Sequence, residues 1–122
     1  MGSYVPPGWP EDLPPPDTEA FSAKVSGWLL DRCPPQFRAT FTVRRHPSAL
    51  AHVALYHSKA TVAGQREAYR AARRLLAEQL SADALSGVLA DLEATGHEVV
   101  STLREVELVV EAMHGERWQP KL

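Results

Sequence analysis

A chain of 122 residues with a net charge of −2, 44 % hydrophobic residues and one cysteine suits a single domain whose core needs neither disulfide nor metal. The small charge gives no global pull toward nucleic acid or an acidic membrane, and apolar runs as short as Leu108-Val109-Val110 exclude a transmembrane span. The lone Cys33 excludes an internal disulfide, and with no basic start leading into an apolar stretch it points to a reducing, cytoplasmic setting.

Residues 4–16 hold six of the ten prolines, in Val5-Pro6-Pro7-Gly8-Trp9-Pro10 and Leu13-Pro14-Pro15-Pro16. Proline fixes φ and removes an N–H donor, so residues 1–16 are expected as an extended or polyproline arm ahead of one helical domain, 17–122. Tyr4, Val5, Trp9 and Leu13 would lay the arm on the body; the rival reading is a free proline-rich ligand that offers Trp9 to a partner. Asp17 or Thr18 caps a first helix predicted over about 18–33. Its apolar residues Phe21, Val25, Trp28 and Leu29 share one face, and Pro34-Pro35 stops it. Residues 36–46 alternate loosely through Phe37, Ala39, Phe41 and Val43; with no second strand to pair, an extended connector with packed aromatics is expected.

Pro47 opens a second helix, predicted over about 47–80, in which Leu55, Val62, Tyr69 and Leu76 recur every seven residues. Ser81 caps a third helix, over about 82–114, with Asp83 in its first turn. Leu85, Leu89, Leu92, Gly96, Val99, Leu103, Val106, Val110 and Met113 alternate spacings of four and three, as in a coiled-coil seam, and Gly115 marks the stop. A tight turn near Ser81 makes facing residue numbers sum to about 161, so seam meets seam, from Leu76 with Leu85 to Ala51 with Val110. Gly64 and Gly96 then share a level, which suggests close backbone approach. The second helix is basic (Lys59, Arg66, Arg70, Arg73, Arg74) and the third acidic (Asp83, Asp91, Glu93, Glu98, Glu105, Glu107, Glu111), so Arg70 is expected near Asp91.

Few residues suggest chemistry. Glu111-Ala112-Met113-His114 has the Glu-x-x-His step of helical di-iron proteins, and the hairpin would bring His46 to the same open end, which makes His46, Glu111 and His114 a candidate zinc or iron site. The second such motif that a di-iron site requires is missing. His97, with Glu93 four residues earlier, reads as a partly buried, hydrogen-bonded histidine, and Cys33 at a helix C-terminus reads as a small apolar residue, because that end does not lower a thiol pKa. Arg66, Arg70, Arg73 and Arg74 form a stripe that suits phosphates, but the acidic third helix beside it disfavours nucleic acid, and no nucleic-acid-binding motif accompanies it.

Val5-Pro6-Pro7-Gly8-Trp9-Pro10, Trp28-Leu29-Leu30-Asp31-Arg32-Cys33-Pro34-Pro35 and Val43-Arg44-Arg45-His46-Pro47 together resemble a family of small actinobacterial proteins of unknown function. The resemblance implies a bacterial cytoplasmic protein, and with it come no activity, cofactor or residue role.

The expectation is therefore an all-α protein: a long antiparallel helical hairpin, a shorter N-terminal helix and a proline-rich arm. It is read as a non-enzymatic regulator or adaptor without a cofactor. It would bind a protein partner, or a second copy of itself, through Arg66, Arg70, Arg73, Arg74, Trp9 and the off-seam Val88, Val100 and Val109. The alternatives are a metal-binding protein or enzyme using His46, Glu111 and His114, and nucleic-acid binding through the arginine stripe.

Overall fold

The computed structural model describes residues 4–115. They form helix α1 (Glu19–Leu30), a 3-10 turn (Pro35–Ala39), a short helix α2 (Phe41–Arg45) and two long helices, α3 (Pro47–Leu76) and α4 (Ala82–Met113), which pack side by side as a helical hairpin.

Local chemistry sets the ends. The Thr18 hydroxyl accepts a hydrogen bond from the Phe21 N–H at 3.1 Å and donates one to the Pro15 carbonyl at 2.7 Å, which starts α1 and ties it to the proline run. Asp17, immediately before it, holds a positive φ of 63°, a backbone region that Asp tolerates better than most residues. Ser81 caps α4 by accepting from the Ala84 N–H at 3.1 Å, and Gly115 closes it at φ +76°.

The core lies at the open end of the hairpin. Phe21, Val25, Trp28 and Leu29 of α1 are all buried, as their spacing predicts, and they meet Leu50, Ala51 and Ala54 of α3 and Val106, Val109 and Val110 of α4. Leu29, Leu50, Val106 and Val109 are the largest fully buried side chains. Each contributes of order 2 kcal/mol by leaving water, which outweighs the few tenths typical of an exposed ion pair.

The arm differs from its expected form. The Trp9 N–H reaches the Pro6 carbonyl at 3.0 Å and the Leu13 N–H the Pro10 carbonyl at 3.3 Å, so two successive turns replace an extended run. Pro7 followed by Gly8 at φ +84° is the pattern of a type II turn. That bend delivers Trp9 into the core beside Phe21, with ring centroids 5.7 Å apart, and the indole N–H donates to the Leu13 and Pro14 carbonyls. The arm is thus part of the body, not a free ligand. The connector differs too: 35–45 forms two helical turns. Phe37 and Val43 pack against the core, whereas Phe41 stays 73 % exposed under the Arg45 guanidinium.

Register follows the expected sum near 161: a Cβ on Gly96 would lie 3.9 Å from Gln65 Cγ. The expected close approach of Gly64 and Gly96 does not occur. Gly64 has nothing near its Cβ position, and Gln65 fills the level by donating to the Leu92 carbonyl at 3.3 Å.

Gly8→Ala keeps an ordinary van der Waals distance to Leu108 but forces a Cβ into the left-handed region, so urea denaturation should show a loss of about 1–2 kcal/mol. Thr18→Ala removes the α1 cap and should lose about 1 kcal/mol in the same assay.

Candidate functional site

Each long helix carries a second row of residues beside the hairpin seam. On α3 the row runs Leu50, Ala54, His57, Thr61, Gly64, Ala68, Ala71, Leu75, and on α4 it runs Ala84, Val88, Asp91, Thr95, Glu98, Thr102, Glu105, Val109. Both keep alternating spacings of four and three. In the body these rows are covered: Leu50, Ala54 and Val109 are at most 1 % exposed. Beyond the end of α1 nothing among the described residues lies over them. Val88 is half-buried, Gly64, Ala68 and Ala84 are exposed, and Leu75 is 57 % exposed. Leu76, Leu85, Leu89 and Leu92, although on the seam, are also only half-buried there. The off-seam Val88 and Val109 belong to the second row of α4.

The proposed interaction residues divide accordingly. Arg66, Arg70, Arg73 and Arg74 are exposed on α3, and Val88 and Val100 are half-buried on α4. Val109 is fully buried and Trp9 is 8 % exposed, so both belong to the core and present no surface; α1 and the bent arm occupy the ground they were expected to offer. The expected Arg70–Asp91 pair does not form. Arg70 binds Glu67 of its own helix at 3.0 Å, and no ion pair among the described residues joins α3 to α4. His97, expected partly buried, has a side chain 81 % exposed, with Nε2 4.0 Å from Glu93.

The metal triad is not assembled. No group of three or more His, Cys, Asp or Glu among the described residues is placed to hold an ion. Val109 and Val110 turn the end of α4 toward the core with Ala112 and Met113 packed on it, which leaves Glu111 and His114 exposed, and His46 is exposed at the start of α3.

A polar corner fastens the arm where the cover ends. Asp12 accepts from the Trp28 indole N–H at 2.9 Å and from Arg32 at 3.4 Å. Arg32 lies 3.7 Å from the centre of the Trp28 ring and donates to the Trp28 carbonyl at 2.9 Å. Burial raises the Glu105 carboxyl above its ordinary range, with Arg32 opposing and Asp12 and Glu11 adding to the rise. Burial likewise raises the Cys33 thiol, whose sulfur lies 3.6 Å from the Leu50 carbonyl, as befits a packed residue and not a nucleophile.

No helix among the described residues is long and apolar enough to cross a membrane. Comparison with known proteins finds no match: neither a family model, nor a curated protein, nor a solved structure is similar to this chain. Its own surfaces therefore carry the functional reading.

A carboxyl whose folded pKa is raised favours folding below its unfolded value and loses that contribution as pH rises through the folded value. Glu105→Gln should therefore unfold at a higher urea midpoint than the parent at pH 7, with the difference vanishing once Glu105 is protonated in acid.

Proposed function

We propose that the protein is a non-enzymatic, cytoplasmic helical interaction module that associates through the distal half of its hairpin, with a second copy of the chain as partner. The observation that carries this reading is the bare stretch beyond α1, where Leu75 is 57 % exposed and Val88, Leu89 and Leu92 are half-buried. Near the Ser81 turn, Ala68, Ala71 and Leu75 of α3 and Ala84 and Val88 of α4 form an apolar patch of the kind that further helices cover, and two hairpins stacked face to face make a four-helix arrangement. Charge favours a copy of the same chain. The basic flank of α3 (Arg66, Arg73, Arg74) and the acidic α4 (Asp91, Glu93, Glu98) form no ion pair with each other within one chain. A two-fold partner sets α3 of one molecule against α4 of the other, and such charges select orientation more than they add affinity.

Sedimentation equilibrium tests the reading. The protein should show a monomer–dimer equilibrium in the micromolar range, weakened by added salt. Leu75→Lys should shift it to monomer while changing folding stability by no more than about 0.5 kcal/mol, as expected for an exposed site. A parent chain that stays monomeric throughout that range overturns the proposal.

A further inference from the structure

Helix α3 carries a third row of residues, distinct from the seam and from the second row. His52, Tyr56, Lys59, Ala63, Arg66, Arg70 and Arg73 alternate spacings of four and three, and all are exposed. Steps of that size keep to one helical face, so the row forms a stripe about 30 Å long, given the helical rise per residue.

No acid interrupts the stripe. The sequence has no Asp or Glu between Arg32 and Arg66, a stretch that holds six Lys and Arg residues, so positive charge gathers here although the whole chain is net negative. Most of the stripe's charge is not neutralised. Lys59, Arg66 and Arg73 form no ion pair among the described residues, and Arg70 has only the exposed Glu67 of its own helix, at 3.0 Å.

Tyr56 adds a second kind of surface. It is 57 % exposed and takes no part in the core. The His52 ring lies 4.9 Å from its ring, and the Lys59 ammonium 5.1 Å from the ring centre. Proteins that hold single strands combine such parts: a base stacks on an exposed ring, and neighbouring cations take the phosphates.

Shape selects among polyanions. Helix α4, alongside, carries Asp91, Glu93 and Glu98. A duplex or a bilayer, each broader than one helix, would lie over these acids as well, and they would repel it. A single strand is narrow enough to follow α3 alone. The acidic neighbour therefore weighs against a broad polyanion and not against a narrow one. An acidic peptide is equally narrow, but its carboxylates make no use of the Tyr56 ring.

We propose that this stripe binds single-stranded nucleic acid, with a base stacked on Tyr56 and phosphates held by Lys59, Arg66 and Arg73. The stripe and Leu75 lie on different faces of α3, so strand binding and self-association are tested separately.

Fluorescence anisotropy of a labelled oligothymidylate of about 12 nucleotides, within the usual span of single-strand sites, tests the assignment on the full chain. At about 50 mM salt, binding should saturate with a dissociation constant of about 10 μM or below, and its log–log dependence on salt should have a slope of about −2, for three phosphates neutralised. Tyr56→Ala should weaken binding about tenfold and leave unchanged the binding of an abasic strand of the same length. Lys59→Gln should make the salt slope shallower by about 0.7 for both strands. Both substitutions fall at exposed positions, so circular dichroism should show the fold retained. The proposal is overturned by an absence of saturation, by a Tyr56→Ala effect equally large on the abasic strand, or by tighter binding of a duplex of the same length. Equal affinity for polyglutamate of matched charge also overturns it and would assign the stripe to an acidic protein partner.

Discussion

The structure depends on a mismatch of length. Two helices of 30 and 32 residues share one seam, and each carries a second row, mostly apolar on α3 and mixed on α4, whose apolar members a two-helix layer cannot bury by itself. The chain supplies a 12-residue helix and a short bent arm to cover those rows. At about 1.5 Å per residue, α1 reaches less than half of the hairpin. Everything buried to completion lies beneath it or beneath the arm, apart from the small or seam residues Ser58, Val62 and Ala72.

That division gives the two ends of the hairpin different physical characters. At the open end Leu29, Leu50, Val106 and Val109 exclude water, and the arm is locked by the Trp9 hydrogen bonds and by Asp12 on Trp28 and Arg32. Toward the Ser81 turn the same helical spacing continues, but its side chains stay half-buried or exposed. Polar residues of the second rows stand where cover ends, at His57, Thr61, Thr102 and Glu105, and continue along the uncovered α4 at Asp91, Thr95 and Glu98. They belong there because a group that can neither be fully dried without cost nor left wholly in solvent fits a boundary.

Charge plays a lesser part within one molecule than the sequence suggests. Opposite signs on neighbouring helices bring α3 and α4 no ion pair, because the arginines of α3 lie on the flank away from the seam and the nearest acid to Arg70 is Glu67, one turn earlier. Their reach is outward, and any specificity they supply is for another surface.

Helix starts, caps and the seam were legible in the amino-acid sequence because they are local and periodic, whereas α1 and α3 end at Leu30 and Leu76, short of the expected 33 and 80. Thr18, Ser81 and Gly115 act within one turn of themselves, and the four-three spacing from Leu85 to Met113 survives any environment that preserves the helix. The turn at Pro7-Gly8 had a readable signal, but its consequence did not: that Trp9 enters the core depends on where Phe21 and Leu108 lie, residues far away in the chain. Tertiary structure alone decided that Val109 is covered while Val88 is not, although the two sit in one row with the same spacing. It likewise decided that Glu111 and His114 stay exposed at the open end without converging on His46, and that Ser58 borders a cavity. Sequence periodicity fixes which face a side chain occupies, whereas burial depends on whether a third element extends far enough to lie over that face.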